Sequence, residues 1–540
     1  MSLSRRDFLI TSAAATGAAA LPFAPASAAT APSAPAPSTP AKYTRYNATS
    51  AQGKAMLKSY AVAIEKMLTL PPEHPHNWFR NAFVHFMDCP HGNWWFYVWH
   101  RGYLGYFEQT VRLLSGNPNF AFPYWDWTQL PQIPEEMFDG VLTPVDKAYL
   151  PFTKDLDTFT ATMKPAMKAY WDSLNKAQRK QLDIRGYSTF ELLWNDVTGY
   201  DPKTGKIVPG NQAFAATDKA RYLTRENPKL DPKTAHACSP GVIMAGLTPV
   251  QYYSPDVVGS FTSSKTPSHN TMPGNNTKFS VLEGQPHNLV HNYIGGVGPW
   301  DPGPYGNMTN FLSPVDPVFF LHHSNMDRLW YVWTRKQQAQ GLPILPTDKQ
   351  ELAELVREPF LFFVKPDGSY VLDGKAGDYL STDRFEYDYA PGFGDMEAAP
   401  VAAAKPSPAV KGTVKNGVGS VTLAAAAGTA VATVTLSRPA DPSAPRHFDV
   451  LINAPAGVTE VGADSPYYGG TIGFFGPSMP GMAHDSTFAV PLPKPPMAAA
   501  AKALEGASAP APAKLEIRLA PTYDKTARAP AVKAVTVRTL

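Results

Sequence analysis

The sequence predicts an α+β protein, a mainly α domain that carries chemistry followed by a separate β-sandwich. Three observations lead there. Eleven of the thirteen histidines, in a stretch rich in Trp, Tyr and Phe, lie between Tyr43 and Phe393. The segments around those histidines contain few helix breakers and one has a helix-start signal. Beyond residue 416 the pattern changes to short apolar or alternating runs separated by Pro, Gly, Asp and Ser.

In chain order, residues 1–28 read as a twin-arginine export signal. Arg5-Arg6-Asp7-Phe8-Leu9 precedes an apolar stretch to Leu21 and a small-x-small cleavage site, Ala26-Ser27-Ala28. The apolar run is shorter than the roughly 20 residues a membrane span requires. Export to the periplasm or beyond, with no membrane span, is therefore expected. Residues 29–42, almost wholly Ala, Pro, Ser and Thr, read as a tether that cannot bury enough apolar surface to order itself.

Residues 43–393 form the expected catalytic domain, with helices over His76 to Met87, Phe96 to Leu114 and Pro317 to Gln338. The last opens on Asp316-Pro317, a capping Asp and a first-turn Pro. Residues 394–415 read as an Ala/Pro/Lys linker. In residues 416–540, strands are expected at Val421 to Leu423, Ala432 to Leu436, Phe448 to Ile452, Thr487 to Val490 and Leu515 to Leu519.

A net charge of +3 over 540 residues, without basic runs, gives no field for nucleic acid. The two cysteines, Cys89 and Cys238, cannot build a disulfide framework; a single bridge between them is the alternative to a special role for Cys89.

The histidines fall into two groups. His85, His91 and His100 lie within sixteen residues; His287 and His291 stand one helical turn apart, with His322 and His323 further on. Adjacent helical residues point about 100° apart, so only one of His322 and His323 faces a given metal. Asp327, four after His323, shares its face and could orient an imidazole or anchor the helix, which favours His323 as ligand and His322 as a packed neighbour. All-imidazole sites suit copper or zinc. Two metals roughly 3.5 to 4 Å apart can grip both atoms of one small molecule, which for paired copper is dioxygen.

These residues resemble a known family. His91 to Glu108, with Phe96, Trp99-His100-Arg101 and Leu104, is similar to the copper A signature of tyrosinases and polyphenol oxidases, with Tyr97 where a smaller apolar residue is more usual. Asp316-Pro-Val-Phe-Phe-Leu-His-His323-Ser-Asn-Met-Asp327-Arg-Leu-Trp330 resembles the copper B signature, and Pro123-Tyr-Trp-Asp-Trp127 is a further hallmark. His447-Phe-Asp-Val450 looks like the C-terminal signature of plant polyphenol oxidases. The resemblance implies a four-helix bundle around two copper ions, held by His85, His91 and His100 and by His287, His291 and His323. For the His85 position, His74 and then His76 are the other choices.

The resemblance further implies a thioether between Cys89 and His91, against a buried free cysteine. It implies a water held by Glu283 and Asn288 near copper B, against a Glu283 that caps or pairs with an arginine. It implies a gate at Phe311, against a core aromatic. The expected activity is oxidation of catechols to o-quinones with dioxygen, together with hydroxylation of monophenols; phenolic or catecholic small molecules are the expected partners. A haemocyanin-like dioxygen carrier is the alternative, and a zinc site a remote third. The C-terminal sandwich is a possible lid, with Tyr467, Tyr468, Phe474 and Phe475 as plug candidates that serve equally as strand-core residues. Residues 150 to 270 carry no assigned chemistry beyond the pocket rim, Cys238 has no visible partner, and the oligomeric state is not legible.

Overall fold

A computed structural model describes residues 41–395, 407–423, 430–478, 484–493, 513–524 and 526–539. The export signal and nearly all of the expected tether lie outside these residues.

Four helices surround the histidines. Trp78–Asp88 starts at Asn77, whose side chain accepts from the Phe79 and Arg80 amides, so the helix begins two residues later than expected and excludes His76. Phe96–Ser115 ends on Gly116, whose left-handed φ of 75° suits glycine. The third helix runs into Asn288–Ile294 through a π-helical turn, Glu283–His287. Pro286 lacks an N–H for the ordinary helical bond, and the wider turn accommodates it at a functional position. The fourth, Val318–Ala339, starts as the sequence suggests: Asp316 Oδ1 accepts from the Val318 amide at 3.0 Å while Arg221 holds the same carboxylate. Around them packs an aromatic core including Trp78, Trp99, Phe107, Phe319, Phe320 and Trp330.

The C-terminal region is the expected sandwich of two five-stranded sheets. One runs Tyr468–Gly473, His447–Ile452, Ala513–Pro521, Val418–Leu423, Thr413–Lys415; the other runs Thr277–Phe279, His484–Pro491, Ala430–Arg438, Val532–Thr539, Val410–Lys411. All five expected strands are present, each slightly longer. Two corrections follow. Residues 410–415, expected within the linker, pair as short strands, because Val410 meets the distant Val537 and Val414 folds back on Gly419 across the Asn416-Gly417 turn. Thr277–Phe279, from the helical domain, adds in parallel to the His484–Pro491 edge, covering an edge that would otherwise stay open. Phe279 stacks on Phe488 there, 4.7 Å between centroids.

No helix among the described residues is long and apolar enough to cross a membrane.

Candidate metal centre

Six imidazoles converge in the bundle. His85 lies 5.4 Å from His91 and 5.5 Å from His100, ring to ring. His287, His291 and His323 stand within 5.2 Å of one another, and His91 lies 5.5 Å from His287, joining the trios. His74 and His76 face each other outside the group, with His76 Nε2 on the Pro366 carbonyl.

Second hydrogen bonds fix which nitrogen faces inward. Nδ1 of His85 donates to the Phe311 carbonyl, that of His100 to Phe96, and that of His291 to Met308, each at 2.7 Å. His287 Nδ1 donates to Asn288 Oδ1 at 2.9 Å. With the hydrogen on Nδ1, the lone pair lies on Nε2, the arrangement a metal ligand needs. The Nε2 atoms of His85, His91, His100 and His287 are buried without a hydrogen-bond partner, and those of His291 and His323 face each other at 3.0 Å. Mutually facing imidazole nitrogens with no donor between them are what a shared cation resolves.

His322 also lies close enough to join the second trio. Trp127 decides against it: its indole N–H, a donor only, points at His322 Nδ1 at 3.1 Å. That nitrogen must accept, so the neutral ring carries its hydrogen on Nε2 and has no lone pair there for a metal. Burial holds the six inward-facing imidazoles below the ordinary histidine range, with His100 and His287 down to about 3. They are neutral near pH 7, as metal ligation requires. The donor set therefore fits two copper ions, one per trio.

Asp327 touches no imidazole. It binds Arg101 at 2.7 Å and Arg45 at 3.1 Å and accepts from Tyr387 and Tyr389, anchoring the fourth helix. Of the two roles open to it, anchoring is the one its contacts support. Glu283 neither caps nor meets an arginine: it accepts from the Gly92 amide, beside His91, and from the Ser263 hydroxyl, each at 2.5 Å. Burial pushes its carboxyl up to about 7. Asn288 does not touch Glu283; its amide spans from His287 to the Gly473 carbonyl at 3.0 Å.

Cys89 and Cys238 are both buried free cysteines, so no bridge joins them. Cys89 Sγ lies 3.4 Å from His91 Nδ1 and accepts from Arg185 at 3.3 Å. Burial pushes the thiol up to about 12. Phe311 packs 5.6 Å from the His91 ring and holds His85 through its carbonyl.

The strongest surprise is Phe475. Its ring lies 4.7 Å from His291, 4.8 Å from His91 and 5.6 Å from His287, covering both trios. Phe474 belongs to the sandwich core, against Phe448 and Phe488, and Tyr468 to a small cluster with Leu451. Of the four plug candidates only Phe475 enters the site. A cavity of about 570 Å³ runs outward beside it, lined among others by His91, Arg185, Tyr187, Phe311 and Arg438. Residues 150 to 270 thus supply part of the rim, and also His269, buried between Asp88 and Glu358 at 3.0 and 2.6 Å.

Sequence reasoning gave no role to Asn292, Arg185, Asn211 or Trp127. Asn292 had a signal in the repeated His-Asn of His287-Asn288 and His291-Asn292.

The fold and site define a helical protein with a histidine-only dinuclear metal centre, covered by a β-sandwich. Residues 59–336, more than half of the chain, match the common central domain of tyrosinase, and the chain belongs to that family, whose cofactor is a pair of copper ions. It is 23% identical to a chloroplastic polyphenol oxidase of Vitis vinifera over 352 residues, 62% of this chain and 45% of that protein. It is 34% identical to an A-type haemocyanin of Enteroctopus dofleini, but over only 105 residues, 19% of this chain and 8% of that protein. The chain spans about half the length of the polyphenol oxidases it matches. A latent aurone synthase (polyphenol oxidase) shares the fold across 92% of this chain and 91% of its own, with a TM-score of 0.51 and 18% identity.

Proposed function

We propose that this chain is a dicopper phenol oxidase that uses dioxygen to oxidise catechols to o-quinones and to hydroxylate monophenols. The observation that carries the reading is the convergence of six buried imidazoles, four with Nε2 unpartnered and two, His291 and His323, with their Nε2 atoms facing each other. Copper bound by His85, His91 and His100 and by His287, His291 and His323 would supply dioxygen binding and electron transfer. Glu283, with its carboxyl near 7, is suited to take a phenol proton through water, and Asn288 to orient that water once its amide is free. Phe311 would limit what enters on the copper A side.

The position of Phe475 supports a latent state, in which the sandwich must move before a phenol reaches the metals. The short Cys89–His91 approach supports a thioether, readable as a loss of two hydrogens in the intact mass and of alkylation at Cys89. The Arg5-Arg6 motif supports twin-arginine export, which Arg5→Lys with Arg6→Lys should abolish in cell fractionation.

The central test is oxygen uptake by copper-loaded protein, before and after cutting between Asp395 and Ser407, with a catechol and its monophenol. Two coppers per chain and quinone formation that rises on cutting are expected. One metal per chain overturns the site, and reversible dioxygen binding without turnover after cutting favours the carrier reading, which the covered site also suits.

A further inference from the structure

A second grip of the sandwich on the helical domain lies away from Phe475. One edge of the strand Thr277–Phe279 pairs with Ser486, Thr487 and Phe488. The Asn276 amide donates to the Asp485 carbonyl at 2.9 Å, and the Asp485 amide to Asn275 Oδ1 at 2.8 Å. Phe279 is buried among sandwich residues, stacked on Phe488 at 4.7 Å. Beside it Val257, Val258 and Val281 pack with Val431 and Ala489 of the sandwich, and Arg538 pairs with Asp256 at 2.6 Å.

The other edge of this strand carries the surroundings of Glu283. The Lys278 amide donates to Ser264 Oγ at 2.8 Å, and its carbonyl accepts from the Ser264 amide at 3.1 Å. Next to it the Ser280 amide donates to Ser263 Oγ at 3.0 Å, and the Ser263 hydroxyl donates to Glu283. Gly92, whose amide is the second donor to Glu283, lies against the strand itself. A Cβ there would stand 2.8 Å from Thr277 Cγ2 and 3.3 Å from the Phe279 ring. Gly284 touches the sandwich directly, since its Cβ would meet Phe488 Cδ1 at 3.2 Å. Both donors to Glu283 thus rest on three residues whose far side the sandwich covers. Without that cover the strand would leave Phe279 in water and an open edge, and nothing else would fix its place.

We propose that the sandwich is a working part of the site: by pairing with Thr277–Phe279 it holds Gly92 and Ser263 where they donate to Glu283, and the competent enzyme keeps it attached along this edge. Phe279 and Phe488 are positioning residues, acting through the donors to Glu283. Phe475 lies outside the His484–Pro491 strand, so its displacement does not require this edge to part. The effect falls on proton transfer. A monophenol is a weaker acid than a catechol and leans more on a base, so hydroxylation depends on the sandwich more than catechol oxidation does.

The proposal rests on the oxidase reading, and two copper-free measurements separate them. In protein cut between Asp395 and Ser407, the fragments should elute together in gel filtration, part in Phe279→Asp and stay together in Phe279→Leu. In the same samples, hydrogen exchange at the Gly92 amide should be about tenfold faster in Phe279→Asp, with the Phe96–Ser115 helix unchanged. In copper-loaded cut protein, the ratio of monophenol hydroxylation to catechol oxidation should fall about tenfold in Phe279→Asp and recover in Phe279→Leu; a ratio does not move with the folded fraction. Asn275→Ala, which trims one bond at the start of the strand, should shift exchange and ratio the same way by about twofold, and decides the matter if Phe279→Asp does not fold. Wild-type fragments that part while keeping the ratio, or exchange and ratio unmoved in the variants, overturn the proposal and leave the oxidase. Loss of all turnover, with fragments joined and Gly92 protected, overturns the oxidase and leaves the hold of the strand on Glu283.

Discussion

Arg45 and Arg101, buried in the helical domain, meet Glu108 and Asp327 directly at 2.7 to 3.1 Å. Arg438 and Arg446, also buried beneath the sandwich, donate to carbonyls, those of Phe475 and Gly476 for one and of Gly210 and Thr309 for the other, and lie against the Phe474 and Tyr305 rings. The consequence is visible in their acidity. Burial weakens both sets, but in the first the carboxylates overcome it and hold the charge firmly. In the second burial prevails, bringing Arg438 down to about 9 and lowering Arg446. A guanidinium that loses carbonyl bonds can regain them from water, whereas a charge pair buried in the bundle cannot be opened without leaving a bare ion. The bundle is tied by buried charge pairs, whereas the junction is tied by hydrogen bonds to carbonyls.

Breaking the bundle side should have the largest effect. Asp327→Ala leaves Arg45 and Arg101 without their shared carboxylate, and a loss of about 3–5 kcal/mol is expected for breaking a buried pair. Thermal unfolding should fall steeply and copper stoichiometry with it; a shift within error would show that Asp327 anchors nothing.

His269 sharpens the same side. Burial lowers its imidazole, but Asp88 and Glu358 overcome this and push it up to about 9. Protonation therefore favours the fold: the contribution is complete below about pH 6.5 and is lost as pH rises through 9. On the order of 3 kcal/mol should separate the pH dependence of unfolding in wild type from that in His269→Gln between pH 6 and 9.5. Parallel curves would mean the ring is not charged.

The smallest effect on stability is expected at the junction. Arg438→Met removes a charge without a carboxylate partner, so unfolding should change by less than about 1 kcal/mol. Oxygen uptake by uncut, copper-loaded protein with a small catechol should rise, because Phe475 and Gly476 lose their tether. A large loss of stability with no gain in uptake would place Arg438 in the fold rather than the latch.

Much of this was legible in the residues. Asp316 marks a helix start through a bond made within one turn, and the three helices expected around the histidines lie within two residues of those observed, whereas helices such as Ala51–Thr69 and Leu156–Ser173 were not read. Alternating or continuous apolar runs between Pro, Gly, Asp and Ser marked five strands; His447–Ile452 is buried on both faces, whereas Val418–Leu423 alternates. Strands 410–411 and 277–279 were not legible, since each is too short to show a period and exists only because a partner edge lies beside it, whereas Thr413–Lys415 pairs across the Asn416-Gly417 turn, a hairpin signal the reading passed over. Phe474 and Phe475 are indistinguishable in sequence; neighbouring strand-end residues point to opposite faces, and only the docking angle decides that Phe475 faces the metals.

What the sequence determined by itself was chemical and local: histidines at helical spacing, the caps and turns that set their helices, and the signatures that mark the family. Tertiary structure decided which nitrogen of each ring faces inward, that the Trp127 indole donates to His322 Nδ1, and that Asn288 and Asn292 hold the end of a strand some 180 residues away. The physical reason is range. Capping and periodicity act within a few residues, whereas a lone pair's direction is fixed by whichever donor or acceptor the fold brings to the other side of the ring.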